Sequence, residues 1–250
     1  MNRSVALVTG GARGIGAATC RKFLDSDYRV VAVDLLEASV ELPQSDRLTF
    51  RQCDVSNEHD VQAIVGELIA AEDHIDVLVN VAGTVLVKPL VETTVQEYRR
   101  LIDVNLGGTF LFCKHVGIEM RKRGQGSIIN LASVSGHVGQ IDHALYGASK
   151  AAIIGLTKAL AWEWADARIR INSVSPGSVD TAMLRGDIET ESQRTGVPYE
   201  AVKQKREAEQ AFGRWADPRE IAEAIYFLAS DSSRFITGAD LLVDCGWVAR

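Results

Sequence analysis

The 250-residue sequence has few residues that could form disulfide bonds or structural metal sites. Its four cysteines, Cys20, Cys53, Cys113 and Cys245, are far apart and form no CxxC pair, and its histidines are equally scattered. Disulfide frameworks and structural metal sites usually show close spacings of these residues. We therefore predict no metal site, and free thiols in a reducing cytoplasm.

Positive charge and long apolar runs are also in short supply. The net charge is -6, whereas a general nucleic-acid binder usually carries a basic surplus. No apolar run approaches the roughly 18 residues of a membrane-spanning helix. The first residues lack the apolar core and cleavage pattern of a signal peptide. We expect a cytoplasmic protein with no nucleic-acid partner and no membrane partner.

No Pro/Gly/Ser-rich linker interrupts the chain, so we expect one domain over residues 1–250. Short β-branched runs alternate with longer helical patterns. Several of the short runs are apolar without alternation, which is typical of strands buried on both faces of a parallel sheet. This pattern predicts an α/β, doubly wound, mostly parallel seven-stranded sheet flanked by helices. The predicted strands cover residues 4–9, 29–34, 47–55, 76–83, 126–133, 168–176 and 240–246, and the predicted helices lie near residues 14–25, 57–72, 95–123, 145–165 and 217–229.

One long charged segment, residues 178–212, breaks the alternation after the sixth strand. It leaves the sheet at the carboxyl edge, where ligands bind in open α/β sheets. Long insertions at such an edge are more often lids or binding loops than solvated insertions, which are the alternative. Pro198 is suited to the first turn of a helix. We favour a substrate lid.

The stretch VTGGARGIG follows the first predicted strand and leads into the first helix. Gly10, Gly14 and Gly16 have the spacing GxxxGxG. Glycine permits positive φ and leaves room for a ligand to approach the backbone. The helix start supplies N–H groups and a partial positive charge that suit a pyrophosphate. Because this glycine pattern lies within a predicted strand–helix–strand unit, it favours dinucleotide binding over a purely structural turn.

Asp34 ends the second strand and could accept hydrogen bonds from both hydroxyls of an adenosine ribose while repelling a 2′-phosphate. Arg13, within the glycine turn, could instead pair with such a phosphate. The alternative for Asp34 is a capping or turn role. We predict NAD as the cofactor, with NADP less favoured.

Tyr146 and Lys150 lie one helical turn apart in HALYGASKAA, and Ser133 ends the preceding strand. Positions i and i+4 share a helix face, so the ammonium can lie near the phenol and favour its phenolate. Such a tyrosine can act as a general acid/base. Taken singly, each of these residues is more often structural. Together, after a dinucleotide turn, they predict interconversion of a carbinol and a carbonyl.

These motifs make the sequence similar to the short-chain dehydrogenases/reductases over nearly the whole chain. TGGARGIG resembles the family's cofactor motif TGxxxGxG, CDVSN its adenine-contacting segment and NVAG its NNAG segment. DVNLGG resembles the segment with the catalytic asparagine, and YGASK matches YxxxK. SPGSVDTAM resembles PGxxxT, and FITGADLLVDCG resembles TGxxxxVDGG. Val81 and Cys245 depart from the pattern, and Cys245 predicts a differently packed tail.

The resemblance implies a single-domain Rossmann fold, a homotetramer and specific roles in catalysis. Tyr146 would be the acid/base, and Lys150 would lower its pKa and bind the nicotinamide ribose. Ser133 would polarise the substrate oxygen, and Asn105 would hold a water in a proton relay to Lys150. The implied cofactor-binding residues, with Val179 and Thr181 at the nicotinamide, are Gly10, Arg13, Gly14, Ile15, Gly16, Asp34, Asp54, Val55, Asn80, Ala82, Gly83, Tyr146, Lys150, Pro176, Gly177, Val179 and Thr181.

The substrate is less well defined by the sequence. Ser135, Gln140 and His143 flank the catalytic residues and could meet polar substrate groups, and Met183, at the start of the predicted lid, could line an apolar pocket. For His143, a substrate contact and a role as a helix cap or solvent-facing residue are equally compatible with the sequence. Sugars, polyols, small hydroxyketones and cyclic alcohols are all compatible with this mixture.

We predict an NAD(H)-dependent oxidoreductase that interconverts a secondary alcohol and a ketone. One alternative is an NADPH-dependent 3-oxoacyl thioester reductase. Another is a dinucleotide-sensing binding protein without turnover, against which the intact set of Asn105, Ser133, Tyr146 and Lys150 argues.

Overall fold

A parallel β-sheet forms the centre of the protein in the computed structural model, which describes residues 3–249. Over these residues the sheet has seven strands in the order β3-β2-β1-β4-β5-β6-β7, and every neighbouring pair is parallel. The predicted α/β fold is confirmed. The strands are β1 (Val5–Thr9), β2 (Arg29–Asp34), β3 (Leu48–Gln52), β4 (Val77–Asn80), β5 (Gly126–Leu131), β6 (Ile169–Pro176) and β7 (Asp240–Val243).

The strand order reverses between β1 and β4, which is where a doubly wound sheet opens a crevice for ligands. The α-helices of the described residues are α1 (Gly14–Asp25), α2 (Glu58–Glu72), α3 (Val95–Ile102), α4 (Gly108–Arg123), α5 (Ala144–Glu163), α6 (Ala182–Thr195), α7 (Tyr199–Ala208) and α8 (Pro218–Ala229).

The single helix predicted near residues 95–123 is two helices joined by a π-helical stretch, Asp103–Gly107. A capping box starts α3, because the Thr94 side chain accepts from the Glu97 amide and the Glu97 side chain accepts from the Thr94 amide. π-Helical turns are frequent at functional sites, and this one carries Asn105.

The core lies on both faces of the sheet, as the unbroken apolar strands predict. Leu7 of β1 belongs to the cluster that packs under α2 and α4, with Phe112. Its neighbour Val8 points to the other face and joins the cluster under α1 and α8, with Phe23. Successive strand residues face opposite sides of a sheet, so both must be apolar when helices cover both faces.

Residues 178–212 fold as α6 and α7 and a short connection between them. Pro198 is the residue before α7, at its N-cap, so the predicted helix at this proline is confirmed. Ile188 and Val202 are buried and anchor the two helices. The sequence analysis did not predict α6.

Cys245 joins the end of this segment to the loop after β7. Its φ of 51° lies in the left-handed region that favours glycine. Its carbonyl accepts from the amide of Ala211 at 2.9 Å, and its Sγ accepts from the amide of Phe212 at 3.2 Å. The cysteine therefore keeps a glycine-like backbone and adds a side-chain contact. Over the described residues, no helix is both long and apolar enough to cross a membrane.

Candidate active site

A cleft of about 560 Å³ opens at the carboxyl edge of the sheet. Its walls are the glycine turn after β1, the loops after β4, β5 and β6, and parts of α5, α6 and α7. All of the predicted cofactor-binding residues line it except Asn80. The predicted substrate residues Ser135, Gln140, His143 and Met183 line the same cleft.

The glycine turn needs its glycines for steric reasons. Gly10 and Gly14 have φ of +65° and +54°, and a Cβ at Gly10 would lie 2.8 Å from the backbone of Ala82. A Cβ at Gly16 would lie 1.9 Å from the carbonyl oxygen of Gly10. Helix α1 begins after Arg13 without a side-chain cap. A tight turn that leaves the start of α1 facing the cleft fits a dinucleotide pyrophosphate.

Two carboxylates flank this turn. Asp34 accepts from the amides of Ala12 and Leu36, each at 3.1 Å. Glu41 accepts from the amide of Gly14 at 2.6 Å. Glu41 was not predicted from the sequence, because it lies in an irregular loop after β2 and belongs to no motif.

The segment NVAG is positioned by its backbone. The amides of Val81 and Ala82 both donate to Thr9 Oγ1 at 3.1 Å. Since both donors are main-chain amides, valine in place of the family's second asparagine leaves these bonds intact. Asn80 lies behind the cleft wall, where its Nδ2 donates to Asn130 Oδ1 at 2.9 Å. This bond joins the ends of β4 and β5, and a cofactor contact of Asn80 stays a prediction.

Tyr146 and Ser133, two of the four predicted catalytic residues, are hydrogen-bonded to each other. Burial raises the pKa of Tyr146, and a hydrogen bond with Ser133 lowers it in part. The charge of Asp187 raises it further. Ser133 is itself held by Ser135, whose amide donates to Ser133 Oγ at 3.2 Å, and Ser135 Oγ donates to Gln140. The tyrosine is therefore a phenol at neutral pH in this structure.

Lys150 is buried, with 4% of its surface exposed. Its Nζ donates to the carbonyl of Leu131 at 2.8 Å and lies 5.8 Å from the centre of the Tyr146 ring. Burial lowers the pKa of Lys150 to about 8. In this geometry Ser133 lowers the pKa of Tyr146, and an effect of Lys150 on that pKa stays a prediction.

Asn105 is fully buried and does not reach the cleft wall. Its Oδ1 accepts from the amide of Thr84 at 2.8 Å, and its Nδ2 donates to Ser149 Oγ at 3.0 Å. Its carbonyl accepts from Thr109 at 2.8 Å. The side chain thus joins the loop after β4 to α5 beside Lys150, and the proton relay stays a prediction.

His143 is buried at 6% exposure and lines the cleft, which excludes a solvent-facing position. It precedes α5 at the N-cap but makes no side-chain cap. Its Nδ1 lies 2.7 Å from the carbonyl of Ile141, and its ring centre lies 6.2 Å from that of Tyr146. Burial lowers the pKa of His143, so the ring is neutral near pH 7.

A charged cluster at the cleft wall, which we call the Asp187 cluster, was not predicted from the sequence; it consists of Asp187, Glu191 and Arg206. Arg206 Nη2 lies 2.7 Å from Glu191 Oε2 and 3.8 Å from Asp187 Oδ2. Asp187 and Arg206 line the cleft. The i, i+4 spacing of the two acids on α6 was a signal, but nothing local indicated that α7 would supply the cation. Trp247 is another unpredicted wall residue.

The sheet reversal, the glycine turn and the Ser133–Tyr146–Lys150 group define a Rossmann-type dinucleotide-dependent enzyme. A family model described as enoyl-(acyl carrier protein) reductase matches residues 10–248. D-threitol dehydrogenase of Mycolicibacterium smegmatis is 38% identical over 256 residues, which cover 100% of this chain and 95% of that protein. Cis-4-hydroxycyclohexanecarboxylate dehydrogenase of Sinomonas cyclohexanicum is 38% identical over 251 residues, covering 98% and 96% of the two chains.

The solved structure of ElxO with NADP bound has a TM-score of 0.87 and 31% identity, and the match covers 99% of this chain and 100% of that one. The chain belongs to the short-chain dehydrogenase/reductase family and is an oxidoreductase that acts on CH–OH groups with a nicotinamide cofactor. Over residues 3–249, no group of three or more His, Cys, Asp or Glu residues is arranged to hold a metal ion.

Proposed function

We propose that this enzyme interconverts a secondary alcohol and its ketone, that Tyr146 is the general acid/base and that NAD(H) is the preferred cofactor. The observation that carries the proposal is the convergence of Ser133, Tyr146 and Lys150 on the cleft that also contains the glycine turn. A bare binding protein would not need this set.

The glycine turn, Asp34, Ala82 and Thr181 would hold the dinucleotide, which supplies the hydride acceptor in oxidation and the hydride donor in reduction. In oxidation, Tyr146 would act in its phenolate form: its Oη takes the hydroxyl proton of the alcohol while Ser133 Oγ hydrogen-bonds to the same oxygen. In reduction, Tyr146 returns a proton to that oxygen. Lys150 would bind the nicotinamide ribose, and Asn105 keeps Ser149 and the loop after β4 in place beside it.

Acidic groups at the glycine turn support NAD over NADP. Asp34 and Glu41 both bond to amides of this turn or its flank. Two carboxylates there oppose a 2′-phosphate. They also weaken the case for an NADPH-dependent 3-oxoacyl thioester reductase, which remains the second candidate because the matching family model carries an acyl-carrier name.

The remaining proposals concern the setting of the reaction. We treat residues 1–250 as one catalytic domain with residues 178–212 as a substrate lid, because α6 and α7 form part of the cleft wall. A homotetramer would cover Phe110 of α4 and Trp162 of α5, which are 49% and 87% exposed. Free cysteines, three of them buried, support the cytoplasm as the location.

A screen of nicotinamide absorbance tests the proposal. Secondary alcohols are offered with NAD and with NADP, and ketones with NADH and with NADPH. We expect turnover of alcohols and ketones with a higher kcat/KM for NAD(H). A clear advantage for NADP(H) would overturn the cofactor proposal, and cofactor binding without any turnover would favour the binding protein.

A further inference from the structure

The Asp187 cluster places an unusual carboxylate in the substrate part of the cleft. The Asp187 side chain is 8% exposed and that of Arg206 is 10% exposed. The nearest cation, Arg206, is engaged by Glu191 at 2.7 Å and lies at a longer 3.8 Å from Asp187. Among the described residues, none donates a hydrogen bond to Asp187. A largely buried carboxylate is expected to accept hydrogen bonds, so a ligand that binds here should supply a donor to Asp187.

His143 adds a second acceptor to the same wall. Its Nδ1 faces the carbonyl of Ile141, which can only accept, so the proton of the neutral ring lies on Nδ1. Nε2 then carries a lone pair. The ring lies one helical turn before Tyr146, with centres 6.2 Å apart. The imidazole therefore lies in the cleft wall beside Tyr146, the residue that would contact the reacting oxygen under the proposed function.

The net charge of the Asp187 cluster further limits the classes of substrate that can bind. Two acids face one guanidinium, so the ionised cluster is net negative. A substrate with a carboxylate or phosphate near this wall would be repelled. A simple apolar alcohol would enter without repulsion but would cover Asp187 and leave it unpaired, which a site built for hydrogen bonding rejects.

We propose that Asp187, together with His143, accepts a hydrogen bond from a second hydroxyl group of the substrate, so that the enzyme prefers diols, polyols or sugars to simple secondary alcohols. Arg206 is a positioning residue that holds the two acids of the cluster in place. This inference rests on the proposed oxidation of secondary alcohols, and it names the class of alcohol.

Matched substrates test the inference. Cyclohexanol is compared with cyclohexane-1,2-diol and cyclohexane-1,3-diol, and butan-2-ol with butane-2,3-diol, in the wild-type enzyme with NAD and with NADP. Each set keeps one carbon skeleton and changes only the second hydroxyl. We expect kcat/KM for at least one diol to exceed that of its mono-alcohol by roughly 10- to 100-fold, the effect of a hydrogen bond to a charged group.

The variant Asp187→Ala should lose most of this ratio. Glu189→Ala is the matched control, because Glu189 lies on the same helix, is exposed and does not line the cleft. The control should keep the wild-type ratio. If Asp187→Ala does not fold, the isosteric Asp187→Asn takes its place and should reduce the ratio several-fold. The ratio between two substrates is a readout that a general structural defect would not move.

The outcomes separate the two proposals. Equal turnover of diols and mono-alcohols by the wild type, or an unchanged ratio in Asp187→Ala, would overturn the role of Asp187 and leave the alcohol dehydrogenase in place. No turnover of any of these alcohols, with dinucleotide binding intact by NADH fluorescence, would overturn the proposed function and this inference with it.

Discussion

The ammonium of Lys150 lies 5.8 Å from the centre of the Tyr146 ring, on the same face of α5. It does not touch the phenol, because Nζ donates to the carbonyl of Leu131 at 2.8 Å. The lysine is thus held between the carbonyl of Leu131 and the Tyr146 ring. Its burial has a cost that can be measured.

Lys150→Met should be more stable than the wild type near neutral pH. Burial holds the pKa of Lys150 at about 8, below its ordinary value. Below pH 8 the folded protein carries the full free-energy cost of a buried ammonium. Between pH 8 and the ordinary pKa of lysine, Lys150 is deprotonated in the folded protein but still protonated in the unfolded chain. Wild-type stability therefore rises across this window, by up to about 3 kcal/mol. The lost bond to Leu131 offsets about 1 kcal/mol at every pH.

Urea unfolding of both proteins at a series of pH values checks this. The difference between Lys150→Met and the wild type should shrink as the pH rises above 8. A difference that stays constant up to pH 10 would contradict a depressed lysine pKa.

Asp34→Ala should change the preference between the two dinucleotides. Removal of the carboxylate abolishes the repulsion of a 2′-phosphate, which favours NADP. It also removes the acceptor for the ribose hydroxyls, which disfavours NAD. We expect the ratio of kcat/KM for NADP to that for NAD to rise at least about tenfold, or 1.4 kcal/mol. Asp46→Ala is the control, because Asp46 is exposed in the loop that follows β2 and does not line the cleft; it should leave the ratio unchanged.

Glu41→Gln should tighten dinucleotide binding. The Glu41 carboxylate bonds to the Gly14 amide at 2.6 Å and places negative charge at the start of α1, where a pyrophosphate would bind. Charge at a helix terminus contributes about 0.3–1 kcal/mol, so we expect Kd for NAD to fall two- to fivefold. Calorimetric titration measures it, with the exposed Glu37→Gln as the comparison. Weaker binding by Glu41→Gln would show that this carboxylate assists the cofactor.

Arg206→Met should loosen α6 and α7. The substitution leaves Asp187 and Glu191 without their cation, and removal of one partner from a buried ion pair costs about 3–5 kcal/mol. Hydrogen exchange of the amides of α6 and α7 should become faster. Arg185→Met breaks an exposed pair with Asp180, for which we expect only about 0–1 kcal/mol. Equal effects of the two substitutions would contradict a buried role for Arg206.

The fold could be predicted in detail where local pattern and burial agree. The predicted second strand has the observed bounds, Arg29–Asp34, because its apolar run is bounded by a charged residue at each end. The third was predicted too long at both ends and covers only Leu48–Gln52, because this edge strand pairs with β2 alone and the last pair is Asp34 with Gln52. The π-helical stretch Asp103–Gly107 has no periodicity signal, so one helix was predicted for two.

The candidate site was predictable where residues belong to a contiguous motif. Gly10, Tyr146 and Lys150 line one cleft as their spacing indicated. Asn80 faces away from that cleft, because strand alternation turned its side chain toward Asn130. The pairing of Glu191 with Arg206 depends on how α6 packs against α7, a tertiary contact that no local pattern contains.

Tyr146→Phe tests the central claim most directly. Stopped-flow and steady-state nicotinamide absorbance with an alcohol found active in the wild type would measure kcat, and NADH fluorescence would measure cofactor binding. Since general acid/base catalysis contributes about 10²- to 10⁴-fold, we expect kcat to fall by that factor while the Kd for NADH stays within a few-fold of the wild type. Turnover that persists near the wild-type rate would contradict the assignment of Tyr146 as the acid/base.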